Sequence, residues 1–125
     1  MKIKEVLAIN EKKDNLENTQ FIKNFKLGKI SKSEKSKDVK ELYNGARRRI
    51  VQVDLRNNEV LSKHKANEPI TVFCLAGTGT FRSGSNLENE QCLTAGTLVT
   101  LEGCIEHEVV AEPEITLLVT KFKSE

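Results

Sequence analysis

The sequence predicts an antiparallel all-β domain. After residue 39 the apolar residues fall in short runs rich in Val, Ile and Thr, with turn signals about every 8–12 residues. No long helical period appears after residue 40. Aromatic residues are scarce, with five Phe, one Tyr and no Trp in 125 residues, so the core must rest on Ile, Leu and Val. The length fits one domain.

The elements follow in order. Residues 1–38 form an N-terminal arm that packs on or extends the domain, and 39–125 form the β-domain itself. In the arm, Leu16, Phe21, Ile22 and Phe25 fit either a short helix or an entering strand. The run from Ser31 to Asp38 has no apolar anchor and reads as an exposed loop. Val39–Tyr43 and Ala46–Leu55 are two strands joined by Asn44-Gly45, a pair that suits a type I′ turn because both central residues need positive φ. Arg56–Glu59 is the next turn. Ile70–Leu75 is a dense apolar run closed by Gly77, and Gly77–Gly84 passes through a reversal. Ser85–Glu90 reads as a polar loop and Leu93–Gly96 as a turn; Leu98–Leu101, Ile105–Val110 and Ile115–Phe122 complete the strands.

Composition excludes several classes. The apolar run at the start stops at Asn10, too short for a secretory signal, and no stretch approaches the roughly 20 apolar residues of a membrane span. Cys74, Cys92 and Cys104 are odd in number and lack a CxxC pair, which argues against a disulfide framework or a four-Cys zinc site. These features place the chain in the cytoplasm with reduced thiols. The net charge of +2 hides a split: residues 1–65 hold 17 Lys+Arg against 9 Asp+Glu, and residues 66–125 hold 3 against 9. The lysines lack interleaved aromatics, so no nucleic-acid partner is expected. The two halves could instead attract each other, within the fold or across a dimer.

Residues 58–111 resemble the cupin superfamily, whose first motif runs glycine, five residues, His-x-His, a spacer, Glu, six residues, glycine. Here Asn58 stands at the first glycine, His64 at the first histidine, Ala66 at the second, Ile70 at the glutamate and Gly77 at the closing glycine. The second motif runs glycine, five residues, Pro-x-Gly, two residues, His, three residues, Asn. Gly96 opens it, Glu102 replaces the proline, Cys104 replaces the glycine, His107 keeps the histidine and Ala111 replaces the asparagine. The matches at His64, Gly77, Gly96 and His107 share one register across 44 positions. The resemblance implies a double-stranded β-helix, or jelly-roll, barrel. It also implies a homodimer, and outward Thr71, Phe73 and Leu75 would leave an apolar strip needing cover.

The resemblance further implies that His64 and His107 point into one cavity, whose inward set would include Ile70, Val72, Cys74 and Val109. Metal-dependent cupins hold their metal with three His and one Glu, and only two of those four ligands stand here. Glu68 shares the strand parity of His64, and Cys104 precedes His107 by three residues, so both are substitute candidates for a divalent Fe, Mn, Ni or Zn ion. Glu106 and Glu108 have the opposite parity to His107 and are expected outside. One residue of Arg47-Arg48-Arg49 must face opposite to its neighbour, and an inward Arg could bind a carboxylate ligand. Three functions stay open: a small-molecule binding protein without a complete metal site, a metal-dependent dioxygenase, isomerase or lyase using His64 and His107, and an interaction module with a filled barrel.

Overall fold

The computed structural model of the protein describes residues 23–28 and 34–124. Among them are seven strands: β1 (Lys37–Asn44), β2 (Arg48–Leu55), β3 (Val60–His64), β4 (Ile70–Ser83), β5 (Asn89–Thr94), β6 (Leu98–Leu101) and β7 (His107–Phe122). No helix of the described residues is long and apolar enough to cross a membrane.

All pairings are antiparallel, and two long strands organise them. The first half of β4 pairs with β6 and its second half with β5. The first half of β7 pairs with β3 and its second half with β2. β4 and β7 also pair with each other along most of their length, from Ile70–Lys121 to Ser83–His107. The result is two half-sheets that share their central strands: β1-β2-β7-β4-β6, and β3-β7-β4-β5. Hydrogen bonding does not close the sheet, because β1 and β5 end its main path.

The strands change sheets where the register slips, between Cys74 and Gly79. Gly77, at a φ of 86°, takes a conformation that disfavours L side chains, and a Cβ there would strike the carbonyl of Glu114. Between the half-sheets lies one core. Val53 and Leu55 from β2, Ile70, Val72, Cys74 and Phe81 from β4, Leu93 from β5, and Val109, Ala111, Ile115 and Leu117 from β7 are all buried. Each large apolar side chain fully buried contributes about 1.5–3 kcal/mol.

Several expectations are refined by this arrangement. The Asn44-Gly45 turn is not type I′, since neither residue has positive φ. Gly45 instead leaves room for the end of the Tyr43 side chain, which a Cβ there would displace. The left-handed pair is instead Asn57-Asn58, at φ 57° and 59°, closed by the Glu59 amide donating to the Arg56 carbonyl. β3 went unrecognised because Val60–His64 offers only two apolar residues. The reversal expected at Gly77–Gly84 is a bend within one strand, and the two last runs are one strand, β7, that changes partner midway.

In the arm, Leu16, Phe21 and Ile22 lie outside the described residues, as do residues 31–33 of the expected loop. Phe25 is exposed, and Lys37 and Asp38 already belong to β1. The Gln52 side chain donates to the carbonyl of Gly28, which fixes that end of residues 23–28 over the outer side of β2. On the same side, Arg56 joins Asp38 at 2.9 Å and buried Asp54 at 3.5 Å. The ion pairs Arg49–Glu41, Arg56–Asp38, Arg56–Asp54 and Arg82–Glu108 each join residues of one charge half, so these pairs do not link the basic half to the acidic one. Thr71, Phe73 and Leu75 lie half-buried on the face opposite the core, in register with Thr100 and, at 61% exposure, Leu98.

Candidate functional site

The half-sheets meet water along one open edge, where the buried His107 lies. On the second half-sheet, one row of cross-strand partners runs His64–His107–Ser83–Asn89. His107 is the inward residue that the sequence expects, with only 3% of its surface exposed. Burying an imidazole is unfavourable unless its polar atoms are satisfied. Here Nδ1 lies 3.0 Å from the carbonyl oxygen of Ile105. A carbonyl has no proton to give, so Nδ1 donates, and in the neutral ring Nε2 carries the lone pair. The imidazole also stacks on Phe81, with ring centroids 5.7 Å apart and planes inclined by 15°.

Above this row is a cleft of about 490 Å³. Its walls include Ser83 and Asn89 from the polar row, Leu101 from the end of β6, and Cys104 and Ile105 from the β6–β7 turn, with Lys65 from the β3–β4 loop. Two backbone contacts clamp that loop to that turn. The Cys104 amide donates to the Ala66 carbonyl at 2.7 Å, and a Cβ on Gly103 would strike the carbonyl of Asn67. Cys104 reaches this geometry at a φ of 66°, so a left-handed residue stands where the motif has glycine.

The sequence-expected site residues divide into two groups. His107 lies under the cleft: Ser83, its cross-strand partner, and Ile105, its hydrogen-bond acceptor, both line it. The backbone of His64 pairs with that of His107, so the two positions are neighbours on adjacent strands. Cys104 is exposed and lines the cleft. Ile70, Val72, Cys74 and Val109 lie in the packed core, and none of them borders the cleft. Burial pushes the Cys74 thiol above its ordinary pKa, against a smaller opposing effect of hydrogen bonding with the Ala76 backbone. Glu68 sits in the loop after β3 ends at His64, so the strand parity that would align the two does not extend to it.

Sequence reasoning missed Lys65, Ser83, Asn89, Leu101 and Ile105. All sit at strand ends or in loops, where no periodicity marks them. Glu106 also lines the cleft, contrary to its expected outward direction, because it precedes β7 and strand alternation begins only at His107. Glu108 does obey that alternation and pairs with Arg82 at 3.2 Å. Among the described residues no three His, Cys, Asp or Glu side chains converge as a metal set, and the motif's glutamate position is the core residue Ile70.

No family model matches the chain, and no curated protein sequence does. Solved structures do. A cupin superfamily protein from Desulfitobacterium hafniense superposes with a TM-score of 0.69 at 13% identity, covering 76% of this chain and 84% of that one. An RmlC-like cupin with a double-stranded β-helix from Methanocaldococcus jannaschii gives 0.64 at 18% identity, over 78% and 90% of the two chains. The chain has the cupin fold. A conserved protein of unknown function from Streptococcus pyogenes is also similar, with a TM-score of 0.69 at 15% identity over 83% and 92%. At these identities the likeness concerns the fold. Within the cupin fold, four glycine positions of the motifs, filled here by Asn58, Gly77, Gly96 and Cys104, all have positive φ.

Proposed function

We propose that this cupin-fold protein binds a small organic molecule in the cleft at its open edge, without a complete metal site. The observation that carries the reading is the composition of that cleft. Apolar walls from Leu101 and Ile105 meet a few convergent polar groups, Ser83 and Asn89, directly above a buried histidine. Small-ligand sites typically combine a largely apolar surface with a few fixed polar groups. The test is a fragment screen on the 15N-labelled full chain. Binding should shift the amides of Ser83, Asn89 and Ile105 together, and an Ile105→Asp variant should abolish those shifts. A screen that moves none of them would discard the reading.

The packed core favours a second reading, an interaction module. Phe81, Leu93, Ile115 and Leu117 are buried in the interior on the core side of His107, which supports that reading. A null fragment screen would favour that module. The homodimer is also carried as a proposal, formed through the row Leu98–Phe73–Leu118. Sedimentation should then give a dimer at micromolar concentration that Leu98→Asp converts to monomer, and a monomeric native protein would refute it.

A further inference from the structure

We propose that the ligand of the cleft is a small organic acid, its carboxylate held by Lys65 and Lys121; this rests on the reading of the cleft as a small-molecule site.

The first observation is the direction of two cations. Along β7, Ile115 and Leu117 are buried in the core, and Val119 packs against it. Lys121 continues the same alternation. Along β2, Val51, Val53 and Leu55 face the core, and Arg49 shares their side. Arg49 and Lys121 are cross-strand partners, so both extend the core-facing surface to the open edge. Arg49 is therefore the inward member of the arginine triplet.

The second observation is continuity with the cleft. Lys121 is the partner of Ile70, and Ile70 is the partner of Leu101, which lines the cleft. Neighbouring strands are about 4.8 Å apart, so the Lys121 backbone stands about 10 Å from Leu101. Lys121 does not itself line the cleft, but its four-carbon stem is long enough to lie along the Ile70 surface and bring the ammonium to a ligand bound there. The β3–β4 loop ties the two lysines to one place. Its Ala66 carbonyl accepts from Cys104, and its Pro69 carbonyl accepts from the amide of Phe122 at 3.0 Å, next to Lys121.

The third observation is charge. Arg49 is matched by Glu41 at 2.7 Å. Among the described residues neither the Lys65 nor the Lys121 side chain has an ion pair or hydrogen bond. Two unmatched ammonium groups beside an apolar wall suit an anion, because the low-dielectric surface strengthens their field. Leu101 and Ile105 suit an apolar body, and Ser83 and Asn89 supply neutral hydrogen bonds.

The experiment titrates the full chain with matched pairs: hexanoate and hexanamide, benzoate and benzamide, phenylacetate and phenylacetamide, followed by amide shifts at Ser83, Asn89 and Ile105. The acid of at least one pair should bind ten-fold or more tighter than its amide, in keeping with the strength of charge-assisted hydrogen bonds. That preference should shrink in Lys65→Gln and in Lys121→Gln, and vanish in the double variant while amide binding persists. Equal affinity for acid and amide, or a preference that survives the double substitution, overturns the inference and leaves the cleft reading intact. If no member of the panel moves those amides, both fall.

Discussion

The His107 imidazole rests on the Phe81 ring, with centroids 5.7 Å apart and planes inclined by 15°. Phe81 is 1% exposed and His107 3%, so the stack forms the boundary between the polar edge and the apolar core. Phe81→Ala should cost about 3–5 kcal/mol, the usual range for truncating a buried phenylalanine, since the strand backbone limits collapse around the cavity. Urea denaturation measures it. A loss under about 1 kcal/mol would mean that the histidine layer packs without the ring.

The three thiols should separate by reactivity. Cys92 and Cys104 are exposed and Cys74 is buried, so iodoacetamide should modify two cysteines in the native protein and the third only in denaturant. Three native adducts would contradict the packing.

Cys74 also sets an alkaline limit. Burial holds its thiol above the ordinary value of 9.0. Above pH 9.0 the unfolded chain loses that proton first, so it binds fewer protons than the native state, and stability falls as pH rises toward the native value. Below pH 9.0 this contribution is fully present. Cys74→Ala should flatten that part of the stability–pH curve, read from melting curves between neutral and alkaline pH.

Two glycines with similar φ should respond differently to alanine. Gly77 and Gly96 have φ of 86° and 94°. Alanine at Gly96 meets nothing within 4 Å, so only backbone strain of about 1–2 kcal/mol applies. At Gly77 the new methyl would also strike the Glu114 backbone, so the loss should be clearly larger. Equal losses would show that β4 can shift at its bend.

Arg56→Met should destabilise the outer side of β2. The guanidinium lies 2.9 Å from Asp38 and 3.5 Å from Asp54, and Asp54 is 1% exposed. Removing one member of a buried pair typically costs about 3–5 kcal/mol, because the remaining charge stays desolvated. Asp54→Asn in the same background should recover part of the loss, and no recovery would assign the cost to packing of the arginine stem instead.

Local sequence was enough to mark most strands and the turns between them. Ile70, Val72 and Cys74 alternate inward as their parity requires, and the residues at the motif glycine positions all adopt positive φ. Both follow from short-range physics, namely side-chain alternation and the cost of left-handed backbone. Local signals misled where a contact distant in sequence takes over. Gly45 leaves room for the end of the Tyr43 side chain in place of forming a type I′ turn, and Gly77 bends a strand instead of ending it because β7 pairs with β4 on both sides of the bend.

By itself, then, the sequence determined an all-β chain with a cupin-like backbone and an inward His107. Only the tertiary structure decided what surrounds that histidine. Ser83 comes to His107 by strand register, and Lys65, Asn89 and Ile105 by the loops and strand ends that converge on the open edge. Register and loop closure depend on pairings between residues tens of positions apart, and no periodicity within a single strand records them.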